Sequence, residues 1–107
     1  MPTAEGVCLI TSHLAENVSR LGAMHGLSLD QLAKLMGMSP QTISMWRAGR
    51  RQPSGQALVA IGELFEIDPM VLSLQEWVDV LPLVADQERY RRVEAKIKKR
   101  QRKLSAV

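Results

Sequence analysis

Apolar residues recur at helical spacing through most of this chain, and glycine, proline or capping residues interrupt them at short intervals. Leu14, Val18, Leu21 and either Met24 or His25 follow the i, i+4, i+7 spacing of one buried face, with Thr11 or Ser12 as cap and Gly26 as stop. Ser28 and Gln31 form a Ser-x-x-Gln capping box, which satisfies free N–H groups at the start of a second helix. Leu29, Leu32, Ala33, Leu35 and Met36 give that helix its apolar face, and Gly37 closes it in the left-handed conformation. Ser39 caps a third helix and Pro40 opens it, at the one position where a missing N–H costs nothing. Ser54 caps a fourth, whose buried stripe is Leu58, Ile61, Leu64 and Phe65; Asp68-Pro69 starts a fifth, with Val71 and Leu72 inward and Ile67 filling the gap between the two. Residues 1–10 carry no clear pattern and read as a lead-in, where Val7, Leu9 and Ile10 can pack on the domain and Cys8 is a small apolar residue.

Beyond Ser73 the pattern changes. Leu74, Trp77, Val78, Val80, Leu81 and Leu83 are more apolar than a small domain needs, and Pro82 is expected to kink or restart a helix. From Leu83 onward a seven-residue spacing appears, Leu83, Tyr90, Ile97 and Leu104, with Asp86, Val93, Arg100 and Val107 at the companion positions. Two readings of residues 74–107 stand side by side. In one, Trp77, Val78, Leu81, Leu83 and Tyr90 form an interface with a second copy or another protein, and the following helix pairs or extends from it. In the other, the apolar part folds back on the domain and the Arg/Lys-rich end is a flexible arm.

The organisation is therefore a lead-in at 1–10, a domain at 11–73 and a helical, basic extension at 74–107. The length of 107 residues fits one domain and an appendage. No apolar run approaches the roughly 18 residues of a membrane span, so no membrane association is expected. The N-terminus lacks a basic region followed by a long apolar stretch, so no signal peptide is expected either. Cys8 is the only cysteine, which fits a reducing cytoplasm, and neither a Cys-x-x-Cys nor a His pair at ligand spacing suggests a metal site. His13 and His25 have no acid, base or nucleophile arranged with them and read as surface or helix-end residues. With no nucleophile–base pair and no phosphate-binding glycine loop, neither an enzyme nor a bound cofactor is expected.

Charge divides the chain more sharply than the net value of +3 suggests. Residues 1–88 hold five basic and ten acidic side chains, a balance of −5, whereas residues 89–107 hold nine basic and one acidic, a balance of +8. Three of the five positive charges before residue 89 are Arg47, Arg50 and Arg51, clustered at the end of the third helix. A mostly acidic domain with one local basic spot should meet a polyanion in a single orientation.

The third helix carries the candidate chemistry. At about 100° per residue, Ile43 and Trp46 point toward a core, Gln41, Ser44 and Met45 point away from it, and Thr42 and Arg47 flank. Gln can pair with adenine edges, Ser and Thr with several edges, and Met can touch a thymine methyl in a major groove. Backbone amides at residues 39–41 and the guanidinium groups can hold phosphates.

Residues 14–73 resemble the helix-turn-helix domain of the Cro and phage-repressor (Xre-like) family. The stretches that carry the resemblance are Gly26-Leu27-Ser28, Gln31-Leu32-Ala33, Gly37-Met38-Ser39, Thr42-Ile43-Ser44, Trp46-Arg47-Ala48-Gly49 and the Arg-x-Pro-Ser of residues 51–54. The resemblance implies an all-α fold, a five-helix, lambda-repressor-like helix-turn-helix domain, here with a C-terminal helical extension. It implies Gln41, Thr42, Ser44 and Met45 as base readers, and Ser28, Ser39, Arg50 and Arg51, with Arg47 beside them, as backbone contacts. Met45 is a departure, since many members carry a polar or basic side chain there. The function expected is a bacterial or phage-encoded regulator that binds double-stranded DNA in the cytoplasm, as a homodimeric repressor reading a two-fold operator through residues 40–48. An antitoxin that pairs with a toxin through its C-terminal segment, and an architectural DNA binder using the basic tail, are the alternatives.

Overall fold

The computed structural model describes residues 3–105, with side chains from residue 13 onward. The packing expected of Val7, Leu9 and Ile10, and the apolar reading of Cys8, lie outside the described side chains. Among the described residues the chain forms seven helices and no strand: α1 (Thr3–Met24), α2 (Leu29–Leu35), α3 (Pro40–Arg47), α4 (Gly55–Phe65), α5 (Pro69–Leu74), α6 (Trp77–Val84) and α7 (Gln87–Ser105). None of them is long and apolar enough to cross a membrane.

Local chemistry explains the boundaries of the middle elements. Gln31 N donates to Ser28 Oγ at 3.2 Å and Ser28 N donates to Gln31 Oε1 at 2.9 Å, so the capping box at the start of α2 is complete. Gly37, at φ +71°, then lets Met38 N reach back to Ala33 O at 2.9 Å, a reversal that a Cβ would strain. Ser54 and Asp68 cap α4 and α5 through the N–H groups of Ala57 and Met70. The first helix departs from expectation: α1 begins at Thr3 instead of at Thr11 or Ser12. Residues 3–10 hold no proline to stop it, and extending an existing helix adds a hydrogen bond for each residue ordered.

One core joins all the helices. Leu14, Val18 and Leu21 of α1 meet Leu32, Ile43, Trp46, Ile61, Leu64, Phe65 and Leu72, and the same cluster takes in Val80 and Val84 of α6 and Val93 and Ile97 of α7. The sequence pattern places a boundary after Ser73, but the buried cluster runs straight across it. Asn17, buried on α1, donates from Nδ2 to Leu72 O and Gln75 O, both at 2.8 Å, and so satisfies carbonyls at the end of α5 that have no helical partner.

The C-terminal extension folds back. Pro82 does not restart the helix; α6 runs through it to Val84, and the break falls at Ala85-Asp86, where Asp86 Oδ1 accepts from Glu88 N and opens α7. The Arg/Lys-rich end is helical as far as Ser105, in place of the flexible arm that one reading of the sequence expects. The seven-residue spacing is not a seam for a second helix either: Ile97 is buried and Tyr90 partly so against this chain's own domain, while Leu83 and Leu104 face outward.

Three donors on α7 close the ends of three other helices. Tyr90 Oη donates to Met24 O at 3.0 Å, Lys96 Nζ to Glu63 O at 2.8 Å and Arg100 Nη1 to Leu35 O at 3.3 Å. These carbonyls belong to the last turns of α1, α4 and α2, where orphan acceptors and the negative end of the helix dipole favour cations. Glu66, left-handed at φ +54° just past α4, is held by Arg92 Nε and Lys96 Nζ, each at 2.9 Å. His25 is not a surface residue: its side chain is covered by α7, with Nδ1 2.6 Å from Glu94 Oε1 and the ring stacked on Tyr90 at 4.2 Å between centroids.

Candidate nucleic-acid interface

α3 has two unlike sides. Ile43 is 0% exposed and Trp46 1%, both locked into the core beneath the helix. On the opposite side Gln41 and Ser44 are exposed and Met45 is 41% exposed. Burying the large indole and the β-branched Ile43 contributes several kcal/mol, roughly 1.5–3 for each fully buried apolar side chain, so the orientation of the helix about its own axis is strongly determined.

Thr42 occupies the flank and is half-buried. Its Oγ1 lies 3.0 Å from Ser39 Oγ, and its N–H points to the same oxygen at 3.4 Å. Thr42 therefore serves first in closing the start of α3, and the side chains left open among the four expected base readers are Gln41, Ser44 and Met45. Ser28 and Ser39 sit at the starts of α2 and α3 with their hydroxyls engaged as caps.

The end of α3 sets the positions of the basic residues. Gly49, at φ +72°, allows Gly49 N to reach Trp46 O at 3.1 Å and Arg50 N to reach Met45 O at 2.9 Å, a reversal that launches the loop away from the helix axis. Arg50 and Arg51 are exposed on that loop and enter no ion pair among the described residues. Arg51 and Gln52 line a hollow of about 280 Å³ together with Gly37, Met38 and Thr42, which puts Arg51 beside the turn that enters α3. Arg47 is also exposed, but its Nη2 donates to Ser19 Oγ at 3.1 Å and ties the end of α3 to α1.

The five residues expected at an interface with a partner are divided by the fold. Trp77 is half-buried against the core, with the Arg20 guanidinium 5.9 Å above its ring. Tyr90 is occupied within the chain by Met24 O and His25. The reason is the return of α7, which turns one face of the seven-residue pattern inward. Val78, at 68% exposure, Leu81 and Leu83 remain open, and Met70 and Leu74 of α5 are exposed as well. Met70 was not legible as a surface residue, because an isolated Met beside a Val-Leu pair has no phase of its own.

Hydrogen bonds from Lys96 and then Arg92 hold the Glu66 carboxyl below its ordinary range. His25, Tyr90, Lys96 and Arg100 were not legible as anchors. The signal available was the i, i+3, i+7 set Tyr90, Val93, Ile97, which marks one docked face as well as it marks a heptad.

A family model described as helix-turn-helix matches residues 20–72, from the second half of α1 into α5. No curated protein and no solved structure matches the chain.

Proposed function

Residues 20–72 are a DNA-binding helix-turn-helix domain of the Cro and phage-repressor type, and from this we propose that the protein is a dimeric repressor that reads a two-fold operator in the bacterial cytoplasm. α3 lies in the major groove. Gln41, Ser44 and Met45 meet base edges there, Gln41 suited to the N6/N7 pair of adenine and Met45 to a thymine methyl. Thr42 contributes from the flank, through its methyl or after exchanging its bond to Ser39. The starts of α2 and α3, at Ser28 and Ser39, offer backbone N–H groups to phosphates, and Arg47, Arg50 and Arg51 hold the strand at the far end of α3.

The observation that carries this reading is the division of α3, with Ile43 and Trp46 sealed beneath and a small polar face left without cover. The basic cluster at its end, on a domain whose first 88 residues are otherwise acidic, supports a single docking orientation.

The second copy associates through the exposed apolar side chains of α5 and α6: Met70, Leu74, Val78, Leu81 and Leu83. One α3 makes few base contacts. Two, set about 34 Å apart by a two-fold axis, read successive major grooves on one side of the duplex. Repression then follows from occupancy, because a bound dimer excludes other proteins from the promoter. Selection of bound fragments from random DNA, with molar mass measured on the same complex, tests this. The expected result is an inverted repeat bound at the mass of two chains. Enrichment of no motif, or of a single half-site at the mass of one chain, overturns it.

A further inference from the structure

The cations of α7 have two kinds of surroundings. Three of them are matched within the chain: Arg92 and Lys96 pair with Glu66, Lys96 also donates to Glu63 O, and Arg100 donates to Leu35 O. The outer face carries Arg91, Lys98, Lys99, Arg102 and Lys103, all exposed. Lys98 stands 3.9 Å from Glu94, and the other four enter no ion pair among the described residues.

Solubility alone is a poor account of this face. Lys98 with Arg102, and Lys99 with Lys103, are like charges at i, i+4, a spacing at which repulsion destabilises a helix and at which Glu–Lys pairs would keep it soluble at lower cost. Placement adds a second argument. The bond from Arg100 to Leu35 O sets the register of α7 on α2, and Gln101, Leu104 and Ser105 then line a hollow with Gln31, Lys34 and Leu35. α2 is the first helix of the helix-turn-helix, the one that crosses the DNA backbone. The last turns of α7 thus stand beside Lys34 of α2. Arg91, Lys98 and Arg102 fall on one line along the helix, roughly 10 Å and then 6 Å apart at about 1.5 Å per residue.

We propose that the outer face of α7 is a second DNA contact, which holds phosphates of the duplex flanking the half-site that α3 reads. This rests on the operator-reading role given to α3. It predicts a binding site longer than the bases read, with the additional length recognised by charge and not by sequence.

The test compares the full chain with the variant Lys98→Gln, Lys99→Gln, Arg102→Gln, Lys103→Gln on the selected operator, with flanks of roughly ten base pairs and with the flanks trimmed away. Val93, Glu94, Lys96, Ile97 and Arg100 are untouched, so α7 stays docked, and a thermal midpoint that does not fall verifies it. Every phosphate that the variant no longer neutralises lowers the slope of log K against log salt by about 0.9, so the variant should lose about two to four in slope and roughly 10- to 100-fold in affinity at low salt. The ratio of operator to random DNA should not move. Trimming the flanks should weaken the unaltered protein, which needs no variant to fold, and should weaken the variant, which keeps Arg91, much less. Selective binding with the same slope in both proteins, or no effect of trimming on the unaltered one, overturns the flanking contact and leaves α3's role standing; a face that serves an acidic partner protein gives that result. Absence of selective binding by the unaltered protein overturns both.

Discussion

Ile97→Ala is the sharpest test of whether α7 belongs to the folded core. Ile97 is 2% exposed and lies in the same buried cluster as Ile61, Leu64 and Phe65. Removing its three outer carbons loses their transfer free energy and leaves a cavity beneath α7, at a cost of about 2–5 kcal/mol. A chain of this size has a total stability of roughly 5–15 kcal/mol, so the loss is a large fraction of it. With a urea slope of about 1.5 kcal/mol per molar, a loss of about 3 kcal/mol lowers the midpoint by roughly 2 M. Fluorescence supplies the assay. The chain has two tryptophans, and Trp77→Phe leaves Trp46, buried in α3, as the only indole. A lowered Trp46 midpoint after a change in α7 reports that both unfold as one unit. Leu104→Ala, at a side chain 50% exposed, is the control and should stay within about 0.5 kcal/mol. If Ile97→Ala leaves the Trp46 midpoint where it was while part of the helical signal is lost in a separate step, α7 is an independent appendage and the single core is wrong.

Three further outcomes are expected. Glu66→Gln should destabilise the chain at neutral pH, and the difference should shrink in acid. Lys96 and Arg92 hold the Glu66 carboxyl below its ordinary value of 4.5, so its contribution is complete above that value and is lost as pH falls through the lowered one. A difference that stays constant from pH 7 to pH 3 in paired melts contradicts the ion-pair account. Gln41→Ala should cost about 1–3 kcal/mol on the operator and relax the preference at one base pair; equal weakening on all sequences shows that Gln41 touches only the backbone. Val78→Glu with Leu81→Glu should leave the thermal midpoint of a dilute sample nearly unchanged and shift the sedimenting species to the mass of one chain, and a surviving dimer places the self-contact elsewhere.

The segment from Ser28 to Pro53 was legible in the sequence, because local interactions determine it. The Ser28–Gln31 box, the reversals at Gly37 and Gly49, and Pro40 at the first position of α3 each act within about four residues of chain. The phase of α3 follows from them together with two large apolar side chains, Ile43 and Trp46, three positions apart. What surrounds α7 was not legible. Tyr90 and Ile97 satisfy a heptad seam and a face docked on one's own domain equally well, since both need an apolar residue every seven positions. The choice rests on partners far away in sequence: Met24, His25 and Glu66 for its first half, Leu35 for its second. Spacing along a chain measures which residues share a face. Only the closed fold decides what that face meets, because a buried contact depends on everything else that has already left water.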